Sequence, residues 1–144
     1  MEKSNPGGDY TISTNPDLLD LGFIHDFLST KSYWAQGRSR ETVALSIRSS
    51  LCFGVYAPDG RQAGFARAVT DHATFAWVCD VFVDEAHRGK GLGKRLIQAV
   101  VTHPDLAAVK RLVLGTRDAH ELYRRYGGFE SLRNPERWME RPRS

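Results

Sequence analysis

The chain has 144 residues, 41% hydrophobic and 26% charged, the size and composition of one ordinary globular domain with its own core. Its formal net charge of +3 permits an anionic ligand but is too small to call for nucleic acid. No apolar run is long enough to span a membrane, and the polar start MEKSNPGGDY lacks the apolar stretch of a secretory signal, so a cytoplasmic protein with no membrane partner is expected.

Residues 1–9 read as a flexible tail and 10–144 as a single domain. Tyr10 to Ser13 suits a short first strand. Asn15-Pro16 is a helix start, with Asn as cap and Pro in the first turn, and Leu18, Leu21, Ile24, Phe27 and Leu28 then recur at helical spacing to about Ser29. The segment TKSYWAQGRS breaks that period, and Ser39 caps a second helix carrying Val43, Ala44 and Ile47 on one face. From Leu51 the period becomes that of strands. Leu51–Ala57, Arg61–Thr70 and Thr74–Asp84 are separated by the turns Pro58-Asp59-Gly60 and Asp71-His72, an antiparallel meander. A helix over about 91–102 ends at His103-Pro104. The apolar strand Arg111–Thr116 follows, and the intervening helix makes its pairing with the third meander strand parallel. A further helix starts near Thr116 or Asp118 and stops at Gly127-Gly128. Phe129–Leu132 and Arg137–Glu140 read as two closing strands. This order is mixed α/β and excludes a doubly wound fold, which would alternate strand and helix throughout.

The two cysteines, Cys52 and Cys79, lie in apolar strand-like runs and read as buried, reduced thiols. The five histidines are scattered, so no metal is expected.

The most informative stretch is Asp80–Lys94, DVFVDEAHRGKGLGK. It runs from an apolar strand through a basic glycine turn into the helix marked by Leu92, Leu96, Ile97 and Val100. Such a turn leaves backbone N–H groups open at a helix N-terminus, where the helix dipole adds about half a positive charge and favours phosphate. The spacing of Gly89, Gly91 and Gly93 fits neither GxxxxGK[ST] nor GxGxxG. It does fit R-x-x-G-x-G at Arg88, Gly91 and Gly93. Residues 119–129, AHELYRRYGGF, supply a second signal of the form A-x-x-L-Y-x-x-x-G-F through Ala119, Leu122, Tyr123, Gly127 and Phe129, with one extra glycine before Phe129.

Together, in this order and with these elements between them, the two motifs resemble those of the GNAT (GCN5-related N-acetyltransferase) superfamily over about 80–130. The resemblance implies an α/β (α+β) acyl-CoA N-acyltransferase fold, with helices on both faces of a mixed central sheet whose fourth and fifth strands run parallel and splay apart at a bulge. It implies acetyl-CoA as co-substrate, with its pantetheine arm along the backbone of Val81, Phe82 and Val83. The phosphates would lie on Arg88, Gly89, Lys90, Gly91, Leu92, Gly93 and Lys94. Thr116 stands where many relatives carry Asn and is, on that resemblance, a candidate hydrogen-bond partner of the cofactor.

On the same resemblance Tyr123 contacts the CoA sulfur and is the candidate general acid for that leaving group, set against a tyrosine that merely packs against Ala119. Asp80, a carboxylate inside the apolar run WVCDVFV, is the candidate base or ammonium binder; the alternatives are a wet strand face, a pair with Arg67, or deprotonation through ordered water. Tyr33, Trp34 and Arg67, with Arg38 and Arg40, are candidate acceptor contacts, against simple packing and surface charge. The expected function is acetyl transfer by direct attack of a primary amine of a small molecule or peptide, with a homodimer allowed for. The competing reading is an acyl-CoA-binding regulator of the same fold without turnover. A nucleic-acid module built on the basic run at 88–95 is disfavoured, because no aromatics are interleaved with it.

Overall fold

The computed structural model describes residues 8–143, so that most of the expected N-terminal tail lies outside the described residues. Five strands form one sheet in the order β1 (Thr11–Ser13), β2 (Leu51–Tyr56), β3 (Gln62–Thr70), β4 (Ala76–Val83) and β5 (Leu112–Val113). The first four are antiparallel and β4–β5 is parallel. The expected turn chemistry closes the β2–β3 hairpin. Gly60 takes φ +88°, the Asp59 carboxylate accepts from the Arg61 N–H, and the Ala57 N–H donates to the Arg61 carbonyl.

Helices cover both faces, as the sequence led us to expect. On one face, α3 (Leu92–Thr102) lays Leu92, Leu96 and Val100 over Phe53, Val55, Ala66, Ala68, Ala76 and Val78. The alanines keep this side of the sheet shallow, so the helix seats its leucines closely. Burying each such side chain contributes about 1.5–3 kcal/mol. The short α4 (Pro104–Ala107) adds Leu106. On the other face, α1 (Leu21–Asp26) and α2 (Arg40–Arg48) enclose Ile24, Phe27, Leu28, Val43, Phe65 and Phe82. No helix among the described residues is long and apolar enough to cross a membrane.

One irregularity positions everything that follows. Phe65 pairs with Phe82 and Arg67 with Cys79, so two steps along β3 match three along β4. The extra residue is a β-bulge, and Asp80 sits in it at φ +52°. Because strand side chains alternate, one inserted residue swaps the faces of everything beyond it. Ala76 and Val78 face α3, whereas Phe82 faces α1 and stacks on Phe27 at 3.9 Å. Asp80 is turned to the α1–α2 side along with Phe82.

Several local expectations are corrected. The first helix is three pieces: a 3₁₀ turn at Pro16–Leu18, then α1, then a π-helical stretch at Phe27–Lys31. The break comes at Leu19, which is extended, and Asp20 caps a fresh start by accepting from the Phe23 N–H. After α3, His103 caps α4 through Nδ1 and Pro104 opens it, so that proline starts a helix as well as stopping one. Strand β5 is two residues, not six.

The closing strands at 129–132 and 137–140 do not form. That segment holds a 3₁₀ turn at Pro135–Arg137, entered through Asn134 at φ +53°, and Trp138 stacks on Arg111 at 4.6 Å. A groove of about 1400 Å³ lies between the segment and β5 and α5 (His120–Gly127), and among the described residues its backbone has no strand to pair with.

The doubled glycine ends α5, where the sequence placed the helix stop. Gly128, at φ +72°, is the left-handed cap, and the Phe129 N–H reaches back to the Tyr123 carbonyl. Gly127 is needed for contact: a Cβ there would lie 2.9 Å from Ile97 Cγ2 on α3 and 2.8 Å from Phe129.

Candidate active site

The glycine turn has the form its sequence called for. Gly89 and Gly91 take φ of +81° and +74°, and none of the described residues lies within 4 Å of where either Cβ would be. Gly91 caps α3 without any side-chain hydrogen bond. The backbone N–H groups from Gly89 to Lys94 find no acceptor among the described residues, so a cluster of donors points outward at the positive end of α3. Arg88 and Lys94 are exposed beside it. Arg88 is steadied by donating from Nε to the Val83 carbonyl, and Lys94 lies 5.0 Å over the Tyr126 ring. Arg95 turns away and donates to the Tyr10 carbonyl.

Strands β4 and β5 are paired only at Ala76–Leu112 and Trp77–Val113. Beyond those two pairs they diverge, and a cleft of about 460 Å³ opens between them. Its walls include Trp77, Cys79, Asp80 and Val81 on one side and Gly115, Thr116 and Tyr123 on the other. Val81 lines this opening, and from there to Val83 the β4 backbone has no strand paired on its β5 side among the described residues. Phe82 itself is buried toward α1, so only main chain is offered there.

Asp80 is 4% exposed and surrounded by donors. Its Oδ1 accepts from Trp34 Nε1 at 2.8 Å, and its Oδ2 accepts from Arg38 Nη1 at 2.8 Å and Arg67 Nε at 3.0 Å. Of the readings open from sequence, the pair with Arg67 is present, joined by two partners from the loop before α2. With both oxygens engaged, this carboxylate anchors the loop carrying Trp34 and Arg38 to the β4 bulge.

Tyr123 is buried on α5, with its ring edge-on to Phe129 and its hydroxyl unbonded among the described residues at the cleft wall. Burial, with smaller contributions from Tyr33 and Cys79, pushes its pKa up to about 12. The phenol is therefore protonated at neutral pH. Thr116 also lines the cleft, but its hydroxyl accepts from the Ala119 N–H and so helps start α5. Cys79 is only half buried and reaches the cleft; burial lifts its thiol to about 11, which keeps it protonated. Cys52 is fully interior.

The sequence profile described as the acetyltransferase (GNAT) family matches residues 21–129. The chain belongs to the GNAT acetyltransferase family. A GNAT-family protein from Xanthomonas campestris pv. campestris, xcc2953, has a crystal structure that is 47% identical, with a TM-score of 0.88 over 92% of each chain. FG08082 of Gibberella zeae, provisionally named an acetyltransferase, is 30% identical over 88% of this chain and 82% of its own length. The fold is shared at lower identity, 17% with a TM-score of 0.65, by Rv2747 from Mycobacterium tuberculosis, solved in complex with CoA; the match covers 81% of this chain and 70% of that one. Family membership implies acyl-CoA-dependent acetyl transfer.

In this GNAT domain the cleft also gathers residues that sequence reasoning did not single out. Arg117 stacks over the Tyr33 ring at 3.9 Å and its backbone N–H donates to the Tyr33 hydroxyl, closing the cleft mouth between α5 and the loop before α2. Trp77, nearly half exposed, forms part of the opposite wall. Tyr33, Trp34, Arg38 and Arg67 all line the cleft; Arg40 does not. The signal for the loop's reach was weak. Gly37 turns it at φ +76°, and nothing in the local period announces which β4 residue it meets.

Proposed function

We propose that this protein moves the acetyl group of acetyl-CoA directly onto a primary amine of a small molecule or peptide. Acetyl-CoA would supply an activated acetyl thioester. The outward N–H groups from Gly89 to Lys94, with Arg88, Lys90 and Lys94, are suited to hold its phosphates, and the bare β4 backbone at Val81–Val83 to align its arm. The observation that carries the reading is the hydroxyl of Tyr123, unbonded among the described residues, buried and protonated at the wall of the opening between β4 and β5. A phenol held there can give its proton to a leaving thiolate.

Direct attack is favoured because the thiol at the cleft, Cys79, is held in its unreactive protonated form. Asp80, already bonded to three donors, acts in positioning, which leaves the proton of the incoming ammonium to solvent in the cleft. The test is thiol release from acetyl-CoA across an amine library, alongside CoA binding by calorimetry. Turnover of at least one primary amine with CoA binding is expected. CoA binding without turnover of any amine would overturn the enzyme reading.

A further inference from the structure

The charged groups that line the cleft are unevenly matched. Arg38, Arg67 and Arg117 stand against Asp80 and Asp118. Arg117 and Asp118 form a solvent-exposed ion pair at the mouth. Inside, one carboxylate serves two guanidinium groups, whose side chains are only 24% and 10% exposed. Asp80 uses Oδ2 for both, and its Oδ1 is taken by Trp34. Arg67 has one further bond, from Nη1 to the Ser50 hydroxyl. The Nε and Nη2 donors of Arg38 and the Nη2 donor of Arg67 find no acceptor among the described residues. A half-buried site with one positive charge in excess and forked donors open to a cavity is built for an anion. It is poorly suited to a further cation, which the excess positive charge would repel.

We propose that the acceptor amine carries an anionic group, a carboxylate or phosphate, which Arg38 and Arg67 bind at the inner wall of the cleft. The substrate class is thus amino acids and related amino anions rather than polyamines or simple alkylamines. The ligand's anion completes the shell that Asp80 half fills, and its amine projects toward the gap between β4 and β5. This presupposes the transfer reaction proposed above. The arginines differ in place from the phosphate-binding turn: they lie on the α1–α2 side of the bulge, whereas residues 89–94 cap α3.

The experiment uses matched acceptors: ω-amino carboxylates of two to six carbons, their phosphonate analogues, their primary amides, and the diamines of equal length, together with α-amino acids and their amides. The readout is kcat/KM by thiol release with saturating acetyl-CoA. The anionic members should exceed their amides and diamines by about 10- to 100-fold, the effect of a charge-assisted bond, and the carboxylate and phosphonate arms separate the two anions. Arg38→Met should erase the ratio and Arg38→Lys should keep part of it, with thermal melts confirming that both variants are folded. Equal or better turnover of amides or diamines, or a ratio that survives Arg38→Met, overturns the proposal while leaving the transferase reading intact. If no acceptor turns over, the transferase reading falls and calorimetry of the same acceptors on CoA-loaded protein decides the anion subsite. Binding of anionic members but not their amides upholds it, and equal or absent binding overturns it.

Discussion

Arg67 on β3 and Asp80 on β4 are joined at 3.0 Å because β4 carries one residue more than β3 between their shared pairs. Without that residue, Asp80 would lie on the α3 side with Ala76 and Val78, among alanines and leucines. The bulge instead delivers it to the two arginines and Trp34. The arrangement keeps a non-glycine residue at φ +52°, a conformation Asp and Asn tolerate better than most.

Replacing Asp80 separates these contributions. Asp80→Ala leaves the buried Arg67 and the partly buried Arg38 guanidinium groups without their counter-charge and should destabilise the fold by about 3–5 kcal/mol in urea titration. Asp80→Asn keeps tolerance of the backbone angle and an acceptor oxygen, so its loss should be the smaller of the two. An alanine variant as stable as the parent would mean that the ion cluster does not hold the loop before α2.

Tyr123→Phe removes the cleft hydroxyl while keeping the ring against Phe129. If the phenol is the acid, kcat should drop by about 10²-fold or more, with the CoA dissociation constant nearly unchanged. The pH profile gives a further check. Burial disfavours the phenolate, so the proton is retained up to about pH 12 rather than being lost near the ordinary tyrosine value. In the parent, kcat should therefore not decline between pH 8 and pH 10 through loss of this proton. A descending limb centred near pH 10 that disappears in Tyr123→Phe would contradict the buried, neutral phenol.

Much of this was legible along the chain because local chemistry decided it. Gly60, Gly91 and Gly128 each stand where φ is positive, and the leucines of α3 keep helical spacing onto one face. The family resemblance implied a bulge at the splay of β4 and β5, but its position was not legible residue by residue: WVCDVFV reads as one continuous strand, and the change of face at Asp80 shows only once β3 is laid beside it. The partners of Asp80 were hidden for the same reason, since Trp34 and Arg38 are 46 and 42 residues away in sequence. The closing strands were overcalled because residues 129–132 and 137–140 have strand composition, whereas a strand also needs a neighbour to bond.

The glycines of the turn before α3 should separate by backbone angle. Gly91→Ala places a side chain into open space but forces a left-handed alanine, costing about 1–2 kcal/mol, and should weaken CoA binding because the exposed N–H groups shift. Gly93 lies inside α3 with ordinary φ, and its Cβ would meet only Leu122 at 3.7 Å. Gly93→Ala should therefore leave stability unchanged or raise it by about 0.5–1 kcal/mol. Thermal melts with and without CoA read both effects. Equal destabilisation by the two substitutions would show that left-handed geometry at Gly91 is not what the turn requires.

Tyr56 offers a test remote from the cleft. Its hydroxyl is buried with no partner among the described residues, and burial raises its pKa above the usual tyrosine value. The hydroxyl fits over Gly54 on the same strand; a Cβ at residue 54 would lie 2.2 Å from the Tyr56 oxygen and 2.6 Å from the ring carbon that carries it. Tyr56→Phe discards a desolvated polar group and leaves no donor or acceptor stranded, so it should stabilise the protein by about 1 kcal/mol in urea titration. Gly54→Ala should be strongly destabilising. Adding Tyr56→Phe to it should recover only part of the loss, because the ring carbon still collides after the oxygen is gone. Loss of stability in Tyr56→Phe alone would show instead that the hydroxyl has a bonding partner, such as an internal water, worth more than the cost of burying it.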